Sequence, residues 1–100
     1  MNKSHTIAIL AYNNHELTKI NLQHLIKQGY RENILLFDNG SNPSYESLAI
    51  KLGIKYIREN INIYVNPAWN WIIENEQSSF LTLLNNDCFI LSNNYFHEII

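Results

Sequence analysis

Phe80-Leu-Thr-Leu-Leu-Asn-Asn-Asp87-Cys-Phe-Ile-Leu91 is the stretch that decides how this chain folds. An apolar run of strand length ends in Asn85, Asn86 and Asp87, and a second apolar run follows at once. A buried strand delivering polar residues to the edge of a sheet has this shape. A carboxylate placed there is free to hold a hard cation. Ile34-Leu-Leu-Phe37 followed by Asp38-Asn-Gly-Ser41 repeats the pattern upstream. Thr6-Ile-Ala-Ile-Leu10 followed by Ala11-Tyr12-Asn13 opens the chain with it. Three such exits predict a small-molecule site at the carboxyl ends of a parallel sheet.

The segments between the exits read as helices. Thr6 to Tyr12 has no polar alternation, which predicts a strand buried on both faces. A helix is expected from about Glu16 to Gln28, with Asn13 as its cap, Thr18, Leu22 and Leu25 on one face, Ile26 at the margin and Gly29 as its stop. Asn33 to Phe37 is the second strand, and Ser44 to Leu52 a short helix. Lys55 to Arg58 is the third strand. Asn66-Pro67 starts a helix to about Asn75, with Trp69, Ile72 and Ile73 on one side. Phe80 to Leu84 is the fourth strand, Cys88 to Leu91 a short extended piece, and Ser92 or Asn93 caps a last helix. The order β-α-β-α-β-α-β gives an α/β class with a mostly parallel sheet.

Composition narrows the function. One hundred residues make one domain or part of one. With 46% apolar and 16% charged residues the chain has the makings of a packed core. A formal charge of −2 supplies no basic field, so no nucleic-acid partner is expected. His5, His15, His24 and His97 are scattered and lack metal-ligand spacing. Cys88 is the only cysteine, which excludes an internal disulfide and fits a reducing compartment. Ile7 to Tyr12 is too short for the apolar core of a signal peptide, and no run approaches membrane-spanning length. The chain stops at Ile99-Ile100 inside an apolar, uncapped helical pattern, so residues 1–100 are expected to be a partial domain.

Taken in order, Ala11-Tyr12-Asn13, Asp38-Asn39-Gly40-Ser41 and Asn85-Asn86-Asp87 resemble the nucleotide-sugar-binding half of the family 2 glycosyltransferases. In that family the first strand ends in a T-Y-N type motif, the second in D-D-G-S or D-N-G-S, and the fourth in a D-x-D type motif. Leu83-Leu-Asn-Asn-Asp87 is similar to the form of the last motif in rhamnosyltransferase-like members. The resemblance spans roughly Thr6 to Leu91. It implies the Rossmann-like GT-A fold, ending here after the metal-motif strand. It implies metal-assisted, inverting transfer of a sugar from a nucleotide diphosphate donor, a UDP- or dTDP-sugar, to a hydroxyl of a carbohydrate or glycoconjugate acceptor. Bacterial polysaccharide synthesis in the cytoplasm, at the inner face of the membrane, is the implied setting.

The same resemblance assigns residues. Asp87 matches the ligand of a divalent cation, Mg²⁺ or Mn²⁺, which suits hard oxygen donors. Asn85 holds the place of the motif's first Asp and keeps an acceptor oxygen without the charge. Asp38 matches the acceptor for the N3 donor of the base, and Tyr12 the position beside that base. Asn13, Asn39 and Ser41 are further nucleotide-binding candidates, as are Asn62 and Asn70. Tyr64 stands where members usually have Gly, and large side chains there narrow the approach to the sugar phosphate. No residue matches the catalytic base or the acceptor site, so the catalytic residue is unassigned. Two other readings stay open: a shortened, non-catalytic module that holds nucleotide or metal, and a small interaction domain whose exposed sheet edge pairs with another chain, including a homo-oligomer.

Overall fold

The computed structural model describes residues 5–75 and 80–85. In chain order these form β1 (His5–Ala11), α1 (His15–Lys27), β2 (Ile34–Asn39), α2 (Glu46–Leu52), β3 (Lys55–Glu59), α3 (Val65–Asn75) and β4 (Phe80–Asn85), with a 3₁₀ turn at Arg31–Asn33. The sheet has the order β3-β2-β1-β4, and every pairing is parallel. The three strands whose polar exits are expected at one end of the sheet, those ending near Tyr12, Phe37 and Leu84, lie side by side.

The unbroken apolar runs follow from two covered faces. Ile7, Ile9 and Ala11 of β1 join Ile34 and Leu36 of β2 under Leu22 and Leu25 of α1 and Ala49 of α2. Ala8, Leu10, Leu35 and Phe37 point the other way, onto Ala68 and Ile72 of α3. Strand side chains alternate between faces, so a strand covered twice has no polar phase. Full burial of a leucine such as Leu22 or Leu25 stabilises the fold by roughly 1.5–3 kcal/mol.

Helix α1 ends as expected. Gly29 takes φ +95°, its N–H donates to the Ile26 carbonyl, and the Tyr30 N–H donates to the Leu25 carbonyl. This paired closure satisfies two end carbonyls and uses a backbone conformation that suits glycine. Thr18, Leu22 and Leu25 are buried on its inner face, joined by Asn21.

Several boundaries and one face differ from expectation. β2 continues through Asp38 and Asn39, because these residues pair with Arg58 and Glu59 of β3. α2 begins at Glu46 rather than Ser44. Asn13 does not cap α1: the position before the helix is Asn14, with no side-chain cap, and the Asn13 carboxamide is engaged elsewhere. Ile73, expected beside Trp69 and Ile72, is exposed, and Ala68 packs inward one turn before Ile72. The extended piece at 88–91 and the last helix lie outside the described residues. No helix among the described residues is long and apolar enough to cross a membrane.

Candidate functional site at the carboxyl edge of the sheet

Register places the strand exits side by side. Ala11 pairs with Asp38, Leu10 with Asn85, and Asn39 with Glu59, so β1, β2, β3 and β4 open at one edge. The connections leaving β1, β2 and β3 then lock onto one another through polar side chains.

Asp38 is the centre of this frame. Its carboxylate is fully buried and receives four hydrogen bonds. Oδ1 accepts from the Ser41 amide at 3.0 Å. Oδ2 accepts from the Tyr45 amide at 2.9 Å, the Tyr56 hydroxyl at 2.6 Å and the Arg58 guanidinium at 2.7 Å. Burial by itself pushes the carboxyl up, but the donors from Tyr56, Tyr45 and Ser41 outweigh it and hold Asp38 below its ordinary value. The same contact raises Tyr56, first through burial and then because its proton is held by Asp38. For Arg58, burial opposes the charged form, and the Asp38 partnership more than offsets it.

The sheet explains why these groups meet. Leu36 pairs with Tyr56 and Asp38 with Arg58, so all four share the face beneath α1 and α2. Tyr45, the largest fully buried side chain among the described residues, closes that face. Its hydroxyl donates to the Asn13 carbonyl and lies 2.9 Å from the Thr18 hydroxyl. The His15 ring stacks on Tyr45 with centroids 4.5 Å apart, and His15 Nε2 donates to the Pro43 carbonyl at 2.6 Å.

The β1 exit is tied to the β2 exit in both directions. Asn13 and Asn14 have left-handed backbones at φ 54° and 49°, a conformation asparagine tolerates better than most residues. The Asn13 N–H donates to Ser41 Oγ at 2.9 Å, and the Asn42 N–H donates to Asn13 Oδ1 at 3.1 Å. The β3 exit is tied to β2 by Asn39. Its Oδ1 accepts from the Ile63 amide at 2.9 Å, and its Nδ2 donates to the Tyr64 carbonyl at 3.2 Å. Gly40 lets the two backbones touch. At φ +79°, a Cβ there would lie 2.6 Å from Asn62 N and 2.6 Å from the Ile61 carbonyl carbon.

The candidate residues thus divide into two groups. Asn13, Asp38, Asn39 and Ser41 form the interlocked frame. Tyr12 and Asn70 face solvent, and Asn62 is half-buried with its Oδ1 accepting from the Tyr64 amide at 2.7 Å. Asn85 ends β4 beside Leu10, and Asp87 lies outside the described residues. Among the described residues no group of three His, Cys, Asp or Glu side chains is placed to hold a metal ion. Asp38 is fully buried, with three donors on Oδ2 and the Ser41 amide on Oδ1.

The model of the glycosyl transferase family 2 matches residues 6–99, from the first strand through the polar exits and beyond. This chain belongs to that family. No curated protein matches it. The family and the four-stranded parallel sheet flanked by helices agree on a Rossmann-like GT-A fold. At the family level the domain is a glycosyltransferase domain of the nucleotide-sugar type.

Sequence reasoning passed over Tyr45, Tyr56, Arg58 and His15, which do much of the holding. A signal existed for two of them. Tyr56 and Arg58 are two apart on a strand next to β2, so one face presents a hydroxyl and a guanidinium toward a buried carboxylate. Tyr45 and His15 had no such signal, since they come together only through folded connections.

Proposed function

We propose that this domain binds a nucleotide diphosphate sugar across the carboxyl edge of β1, β2 and β4 and transfers the sugar to a hydroxyl of a carbohydrate or glycoconjugate acceptor. The acceptor oxygen attacks the anomeric carbon, the bond to the diphosphate oxygen breaks, and its electron pair leaves with the nucleotide diphosphate. Attack from the face opposite the leaving group inverts the anomeric centre. Asp87 would hold the divalent cation, Mg²⁺ or Mn²⁺, which when bound stabilises the departing diphosphate. The base that takes the acceptor proton has no assigned residue in this chain. UDP- and dTDP-sugars are the proposed donors, and polysaccharide or glycoconjugate synthesis at the cytoplasmic side is the proposed setting.

The observation that carries the reading is the locking of the β1, β2 and β3 exits around Asp38 and Asn39. A site that must hold a flexible, charged donor benefits from loops already fixed before the ligand arrives. In this reading Tyr12, Asn62, Asn70 and Asn85 meet the nucleotide. Asp38, Asn13, Asn39 and Ser41 hold the loops that carry those contacts. Asp38 would meet the N3 donor of the base through Oδ1, once its buried carboxylate is uncovered.

Isothermal calorimetry with UDP and dTDP, with and without Mn²⁺, tests the reading. Binding that Mn²⁺ strengthens is expected, and Asp87→Ala should abolish the strengthening while leaving metal-free binding in place. Absence of heat at millimolar nucleotide in both conditions would overturn it in favour of an interaction domain. Binding without turnover of UDP- or dTDP-sugars would favour the non-catalytic module.

A further inference from the structure

Tyr64 is held in a conformation its side chain disfavours, and its ring is displayed to solvent. Its φ of +68° is left-handed, a region costly for an aromatic residue and one that persists only where the surroundings enforce it. Three hydrogen bonds do so. The Tyr64 N–H donates to Asn62 Oδ1 at 2.7 Å, its carbonyl accepts from Asn39 Nδ2 at 3.2 Å, and it also accepts from the Ala68 N–H at 3.4 Å. Asn39 adds a second grip one residue earlier, through the Ile63 amide. The ring at the end of this clamp is 74% exposed, so little packing within the described residues accounts for it.

Its place is defined by Asn39. That residue ends β2, and the next residue along β1 past the Ala11–Asp38 pair is Tyr12, which is 46% exposed. Tyr12 and Tyr64 therefore stand on either side of the β2 exit, one on the neighbouring strand's exit and one bound to Asn39 itself. Two exposed aromatic side chains, carried on the connections either side of one polar strand end, offer faces on which a planar ring can stack.

We infer that Tyr64 is a stacking platform for the base of the nucleotide, opposite Tyr12, and that the left-handed clamp exists to aim it. This inference rests on the proposed nucleotide-sugar function. The base lies over the exit of β2, and the diphosphate extends toward β4. Tyr64 is thereby a determinant of affinity for the nucleoside part, where the family resemblance alone implies only a narrower approach to the sugar phosphate.

Calorimetry with UMP and UDP on the whole chain tests it, using Tyr64→Gly, Tyr64→Phe and the unsubstituted protein. Glycine accepts φ +68° freely, so Tyr64→Gly should melt at the same or a higher temperature and yet bind both nucleotides about tenfold more weakly. Tyr64→Phe, which restores the ring, should recover most of that loss. Weakening of UMP and UDP by the same factor places the ring on the base. Unchanged UMP and UDP binding in Tyr64→Gly overturns the inference and leaves the proposed function standing. A lower melting temperature with unchanged binding also overturns it, since the ring would then be packing. If the unsubstituted protein binds neither nucleotide, the inference falls together with the function on which it rests.

Discussion

The two ends of the sheet both bury polar side chains, but they use them differently. At the amino end, where β1 and β4 begin, polar side chains join strand to strand and strand to turn. His5 Nε2 lies 2.7 Å from the Thr82 hydroxyl, and Asn33 Nδ2 donates to the His5 carbonyl at 2.8 Å. These groups secure the start of β1 against β4 and the turn before β2. At the carboxyl end, one carboxylate and two asparagines bind three separate connections into a single frame, and exposed tyrosines stand around it. The amino end secures strands. The carboxyl end secures loops, which is what a site built on strand exits requires.

The strongest way to break this contrast is Asp38→Ala. It removes the acceptor from two amides, a hydroxyl and a guanidinium, of which the amides cannot turn to water. A loss of about 3–5 kcal/mol in urea unfolding is expected, the range for breaking a buried, hydrogen-bonded charge pair. The partial exposure of Arg58 favours the lower end of that range, since its guanidinium can rehydrate. A loss under about 1 kcal/mol would mean that the frame does not depend on its carboxylate.

A smaller effect is expected from the glycine that lets the loops touch. Gly40→Ala meets backbone atoms at 2.6 Å as well as a left-handed φ, so about 2–4 kcal/mol should be lost. Gly29→Ala, at φ +95° with open space around it, should cost only about 1 kcal/mol. Equal melting temperatures for the two variants would show that the 60–62 loop does not press on Gly40.

The smallest effect separates the two ends by pH. Burial lowers the His5 pKa, so the folded state holds it neutral while the unfolded chain protonates near pH 6.5. Its contribution is complete above that value and is lost as pH falls through the lower folded value. Asp38 is likewise held low, so its contribution is complete above about pH 4 and is lost only in stronger acid. Urea midpoints should therefore fall in two stages as pH is lowered, first at the amino end and then at the carboxyl end. His5→Asn should flatten the first stage alone. A single fall below pH 4, with His5→Asn unchanged in shape, would contradict this division.

The pattern of apolar runs and polar exits determined by itself that the chain is α/β, that β1 is buried on both faces, and that the exits share an edge. Those properties follow from side-chain period and from the need to cover every apolar face, which are written locally. The turn of each polar side chain was decided only by tertiary structure. Asp38 looks in the sequence like a carboxylate offered to a ligand; folded, it is enclosed by Tyr45, Tyr56 and Arg58, seven, eighteen and twenty residues further on. Asn13 looks like a helix cap and instead serves Asn42, twenty-nine residues away. A buried polar group must be satisfied by whatever donors the finished fold brings to it. Partners so distant in the chain meet only after the strands have paired and the helices have covered them.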